Sequence, residues 1–383
     1  MLLDGVSQPI HPAATQTLMA ALELGWADPR RLYREARQAR RLLDQAREVI
    51  ADGLGVRPPE VSFLPGGPVA LSGAVAGLAF AGRRHGARLV AGAAEHSAVL
   101  VGGRHHAAQA RDPGLLAEIP VDRLGRVDLE AWSAALAGPG TVVAALQSAN
   151  AEVGTRQPLA EAHERCRRHG VPLVVDAMTA LGRDPVPEAF DVLVGAAQSW
   201  GGPGGVGVLV VPERTRWRRP GPVTEIEHGR TDVEPMIPLV MAAAEAWRQT
   251  AAVQEADAAE ARSLVDRIRA AAARVPDSEV VGDPDNRLPH VTTFSCLFVD
   301  GEALVHELDR RGFAVASGSA CTASTLEPSH VLAAMGVLTH GNLRVTLPLA
   351  ATSPDREAGV SSFCAALPEA VAAVRSRLGT DRL

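Results

Sequence analysis

The chain has 383 residues, 46% hydrophobic and 21% charged, with a formal charge of −6 at pH 7; at about 150 residues per domain this amounts to about two to three units, enough for a full core. Glycine at 36 and proline at 27 are near ordinary usage and no repeat is visible, which excludes collagen, solenoid and disordered classes. The arginines are scattered among acids, so no basic face is available for nucleic acid. No apolar run approaches the roughly 18 residues that cross a bilayer, and no basic region leads into an apolar one at the N-terminus, so the chain reads as cytoplasmic, without membrane contact.

In chain order, Asp28-Pro29 reads as the N-cap and first turn of a helix that continues to Ile50 and stops by Gly53. A second helix is expected after Gly67-Pro68. Short β-rich runs then alternate with helical segments: Arg88 to Val90, Glu118 to Val121, Thr141 to Leu146, Pro172 to Val175, Asp191 to Val194 and Val206 to Val211. Apolar runs without period-two polarity predict a mostly parallel sheet buried on both faces, hence an α/β fold. Beyond Pro235 one Ala-rich helix is expected over Ile237 to Arg274, bridging two parts. Strands follow at Ser278 to Val281, His290 to Phe298, Phe313 to Val315 and Leu343 to Thr346. Helices are expected at Glu302 to Arg311, Pro328 to Met335 and Pro354 to Leu378. The pattern divides into a large α/β unit over residues 16–249 and a smaller α+β unit made of 1–15 and 250–383, with a soft boundary near 250.

Four cysteines, Cys166, Cys296, Cys321 and Cys364, lie far apart with no CxxC pair, unlike a disulfide framework or zinc site, and no metal ligand set is visible. Cys321 differs from the others. It sits in Ser317-Gly318-Ser319-Ala320-Cys321-Thr322-Ala323-Ser324, where neighbours of little bulk leave a sulfur open to attack other groups, although an inert thiol fits the same loop. Asp176 ends the apolar run Val174-Val175, the edge at which open α/β sheets bind ligands, or else caps the next segment. His96, in Glu95-His96-Ser97, reaches the same edge. Gly201 to Gly207 runs into a strand, not a helix, so it is a tight turn and not a dinucleotide fingerprint. Arg344 suits a carboxylate or an ion pair between domains.

Taken in this order, Ser317 to Met335, Glu95 to Leu100, Asn150 to Pro158, Asp176, Gly202 to Gly207, Thr231 and Arg344 resemble the cysteine desulfurase family of class-V aminotransferases, pyridoxal-phosphate enzymes of fold type I. The resemblance implies a large domain with a mostly parallel sheet and a smaller α+β C-terminal domain. It gives Asp176 the pyridine nitrogen, His96 the ring face and Arg344 the substrate carboxylate. Cys321 takes the sulfur as a persulfide, and Thr231 the phosphate of a neighbouring subunit's cofactor. A dimer follows, of this chain or with an intact homologue, together with a sulfur donor or acceptor protein.

The departures gather at the cofactor. The Ser-x-His-Lys sequence before Gly-Gly-Pro is lost across Ala197-Gln198-Ser199-Trp200, with the lysine position at Ser199. The phosphate cradle reads Gly66-Gly67-Pro68-Val69. Ala151 and Thr179 replace an asparagine and a glutamine of the family, and Ser7-Gln8-Pro9-Ile10 stands at its N-terminal motif. All 38 basic residues counted as Lys+Arg are arginine, so no side chain carries a primary amine. Composition drift toward GC-rich codons accounts for the bias, but the chemistry is the same: no internal aldimine forms, and the expectation is no bound cofactor. Four functions stand open. They are a cofactor-independent persulfide carrier through Cys321, a regulatory or dimer partner of an intact homologue, a pyridoxal-phosphate desulfurase making alanine, and different chemistry in the altered pocket.

Overall fold

The computed structural model describes residues 1–24, 27–222, 224–317 and 328–379. Two N-terminal helices, α1 (Pro12–Glu23) and α2 (Arg34–Leu54), precede β1 (Val61–Leu64) and α3 (Gly67–Gly82). Next come β2 (Arg88–Gly92), α4 (Ser97–Ala110), β3 (Leu116–Ile119), α5 (Leu129–Leu136) and β4 (Thr141–Gln147). The alternation continues through α6 (Leu159–His169), β5 (Leu173–Asp176), β6 (Val192–Ala196) and β7 (Gly207–Val210). These strands form one sheet in the order β1-β7-β6-β5-β4-β2-β3. The β3, β2, β4, β5 and β6 pairings are parallel, and β7 joins β6 and β1 antiparallel.

Alternate residues along each central strand feed opposite faces, and both faces are apolar. Leu173 and Val175 pack toward α2, α6 and α7, whereas Val174, Val192 and Val194 pack toward α3 and α4. Covering both faces removes the need for a polar stripe, so the strands appear in sequence as unbroken apolar runs.

α7 (Ile237–Ala251) still packs in the core of the large sheet, and the C-terminal part begins with α8 (Gln254–Ala272), followed by β8 (Ser278–Val281), β9 (Val291–Cys296) and α9 (Gly301–Arg310). It closes with α10 (His330–Met335), β10 (Asn342–Thr346) and α11 (Arg356–Leu378). The antiparallel sheet β10-β9-β8 has its own core, which Leu3 enters from the N-terminus. Among the described residues α11 alone is long and apolar enough to cross a membrane, yet Phe363, Leu367 and Val371 bury its inner face in that core. A seven-stranded, mostly parallel sheet with a small antiparallel C-terminal sheet is the α/β fold-type I arrangement.

Several elements differ from the sequence pattern. The helix expected from Asp28 starts at Arg34, because Asp28 Oδ1 accepts the Arg30 N–H at 2.9 Å and makes a turn instead. The single helix expected over Ile237 to Arg274 is two helices with a joint at Ala252-Val253. Phe313 to Val315 is not a strand; Ala314 and Ala316 make isolated bridges to Leu2 and Arg344. The third strand lies at Leu116–Ile119, two residues before its expected place, and α1 and β1 had no expectation.

Candidate functional site

Because β2, β4, β5 and β6 are parallel, the segments that follow them emerge at one edge of the sheet. His96 follows β2, Gln147 ends β4, and Asp176 ends β5 in register with Gln147. Over this edge lie α10 and β10 of the C-terminal part. A cavity of about 250 Å³ separates them, with Glu95, His96, Asp176 and Thr179 below and Ser329, His330 and Arg344 above.

Each group is fixed by a local cause. His96 Nδ1 accepts the Ala98 N–H at 3.0 Å and caps α4, which leaves the ring proton on Nε2. Asp176 Oδ1 accepts the Met178 N–H at 2.8 Å; burial pushes its carboxyl above the usual range, against that bond and the nearby His96. Glu95 is pushed up more strongly by complete burial, with Asp176 close by, although its Oε1 accepts the Gln147 N–H at 3.1 Å. Glu152 rises to about 7 through burial, opposed by the Ser329 hydroxyl, which donates to Oε2 at 2.8 Å, and by Arg344. His330 Nε2 lies 3.0 Å from the Glu95 carbonyl and ties α10 to this edge. Asn150 Nδ2 donates to the Ala94 carbonyl at 3.1 Å and shapes the same corner.

Of the expected site residues, His96, Asp176, Thr179 and Arg344 meet at this cavity. Arg344 Nη2 lies 3.7 Å from Asp4 Oδ1, so its ion pair is to the N-terminal segment and not to the large sheet. Ser199 does not line the cavity: its hydroxyl is within reach of the Leu181 carbonyl at 2.7 Å and the Ala196 carbonyl at 3.1 Å. Thr231 is also elsewhere, buried, with Oγ1 accepting the Val233 N–H at 3.1 Å. Cys321 lies outside the described residues, which resume at Pro328 on the cavity wall. The other cysteines are poor nucleophiles, since burial pushes Cys166 to about 12, Cys296 to about 11 and Cys364 upward.

Sequence reasoning missed Glu95, Glu152, Ser329 and His330 as individual groups, although all four stood inside quoted segments. An acidic residue in a loop usually points to water, and only the packing of α10 over the sheet edge reveals Glu95 and Glu152 as buried.

The class-V aminotransferase family matches residues 9–358. The chain is similar to an IscS-like cysteine desulfurase of Mycobacterium tuberculosis, 32% identical, covering 98% of this chain and 98% of that protein. Among solved structures it resembles a NifS-like protein with TM-score 0.86 and 21% identity, covering 96% of this chain and 98% of that one. It also resembles the apo structure of a cysteine desulfurase from Thermococcus onnurineus NA1, with TM-score 0.81 and 19% identity, covering 97% and 95%. At those identities the structures speak to the fold, while the sequence match over nearly all of both chains sets the lineage: this chain belongs to the class-V aminotransferases, within the cysteine desulfurase family.

Proposed function

We propose that this chain is a cysteine desulfurase homologue that carries sulfur at Cys321 without pyridoxal phosphate. The family's cofactor condenses its aldehyde with a lysine amine and rests its phosphate on N–H donors at a helix start. The observation that carries the reading is the absence of lysine from the sequence; the resemblance puts Ser199 where the family has its anchoring lysine. Its hydroxyl is turned to the Leu181 carbonyl and is neither basic nor able to form an imine. The first turn of α3 contains Pro68, which has no N–H. A Cβ on Gly67 would lie 2.4 Å from Met178 Sδ, so that thioether fills the space beside the turn. On these grounds the residues do not fit the cofactor.

Sulfur transfer at Cys321 needs no aldehyde. Its thiolate attacks the terminal sulfur of a donor persulfide; a new S–S bond forms at Cys321, the donor's S–S bond breaks, and the donor leaves as a thiolate. The same exchange in reverse hands the sulfur to an acceptor thiol, with no outside oxidant. Incubation with glutathione persulfide, followed by alkylation and peptide mass measurement, should place one extra sulfur on the Cys321 peptide and none in Cys321→Ser. No added sulfur at Cys321 rules the reading out. A yellow protein after addition of pyridoxal phosphate that converts cysteine to alanine rules out its cofactor-free half.

A second reading, partner of an intact homologue, is favoured by one surface. Leu24 and Tyr33 are exposed on a groove of about 400 Å³ between α2 and the start of α7, where Ile237 and Met241 also line it. Co-expression with an intact homologue and mass measurement of the native complex tests it; a stable homodimer only is the opposing result.

A further inference from the structure

The cavity carboxylates lack hydrogen bonds that their burial demands. Glu95 is 1% exposed, and among the described residues its Oε2 has no donor while Oε1 takes the Gln147 N–H. Glu152 is 7% exposed, and among the described residues its Oε1 has no donor while Oε2 takes the Ser329 hydroxyl. A buried oxygen without a donor is costly, so two beside one hollow are a strong demand for donors.

Carboxyl groups outnumber guanidinium groups around the hollow. Glu95, Glu152 and Asp176 all line it. Of its two guanidinium groups, Arg104 is held by both oxygens of Glu118 at 2.7 Å, and Arg344 faces Asp4. An anion would meet three carboxyl groups, whereas a cation with several N–H groups supplies the donors these oxygens lack. The volume of about 250 Å³ suits a molecule of amino-acid size, and Leu100, Met178 and Val331 offer an apolar wall for a short methylene chain.

We propose that this cavity is a binding site for a small organic cation, an aliphatic ammonium or amidinium compound, held by Glu95 and Glu152. The inference rests on the reading that pyridoxal phosphate does not occupy the cavity, and it is independent of whether Cys321 carries sulfur. Burial pushes both carboxyls upward, Glu152 to about 7, so the free site disfavours their charged form. Asp176, with His96 beside it, lies close to Glu95, whose backbone carbonyl meets His330, while Arg344, with Asp4 behind it, and Ser329 face Glu152. A bound cation favours the carboxylates, so binding releases protons and strengthens as pH rises through 7.

Isothermal titration of the full chain with cadaverine and with agmatine, against the neutral pentanediol, tests this. Both amines should bind about tenfold or more tightly than the diol, with a heat that changes with the buffer's ionisation enthalpy as protons are released. Glu95→Gln and Glu152→Gln should each weaken amine binding about tenfold or more, their fold checked by circular dichroism; where one variant does not fold, the other decides. Amines that bind no better than the diol, or equally well to the native chain and both variants, overturn the site. Absorbance after adding pyridoxal phosphate is read in parallel. A cofactor band with no amine binding means the underlying reading failed, and no band with no amine binding means this inference alone failed.

Discussion

At the scale of single residues, the informative feature is a carboxyl group placed where its charge is costly. Glu152 moves from an ordinary 4.5 to about 7 because burial outweighs the Ser329 hydroxyl and Arg344. The folded chain then holds a proton that the unfolded chain has lost, so stability falls as pH rises from about 4.5 to about 7 and stays lower above it. The penalty is at most about 3 kcal/mol. Glu152→Gln keeps an acceptor for Ser329 and removes the charge. It should raise the melting temperature at pH 8 and leave it nearly unchanged at pH 5; an equal shift at both values contradicts this account. Ser199 supplies the converse case. Ser199→Lys returns an amine to the chain but leaves Pro68 and Met178 at the phosphate end, so this variant should show an imine band only at pyridoxal-phosphate concentrations far above those of an intact homologue. The positions of His96, Asp176 and Arg344 at one cavity were legible in the sequence, because strand ends and family order both pointed there. Glu95 and Glu152 were not, because burial of a loop carboxylate depends on a helix more than 170 residues away, as the Ser329 to Glu152 separation of 177 illustrates.

At the scale of elements, α2 is fastened to the segment before α7 by a buried ion pair. Arg47 Nη1 and Nη2 donate to Glu227 at 2.6 and 2.7 Å, Glu227 Oε2 also accepts the Phe63 N–H at 2.7 Å, and Arg47 reaches the Val61 carbonyl at 2.8 Å. Glu227 and His228 adopt φ of 47° and 60°, a left-handed backbone that this clamp holds against its strain. Arg47→Ala strands the Glu227 carboxylate in the interior and should cost about 3–5 kcal/mol in urea unfolding, with much of the loss recovered when both residues are replaced by leucine. A loss below about 1 kcal/mol would show that the pair adds little. The same scale explains where the sequence pattern misled. Ala-rich sequence continues through Ala252-Val253 without glycine or proline, so no local signal marks the joint between α7 and α8. It exists because α7 packs on α1 and α2, whereas α8 packs on α11 and the small sheet. β1 is only four residues long and acquires its strand character by pairing with β7, which is distant in sequence.

At the scale of the whole molecule, the large sheet was legible because covering it on both faces leaves continuous apolar runs, and the small sheet because β8, β9 and β10 are short runs containing β-branched residues. The relation between the two was not legible, since it depends on contacts such as His330 to the Glu95 carbonyl that join segments 235 residues apart. That relation makes the hollow a seam: its floor is the edge of the large sheet and its ceiling is α10 and β10. Whatever lodges there works as a latch. An amine that fills it should slow protease cutting at the exposed Val253 joint, because parting floor from ceiling would first require the guest to leave.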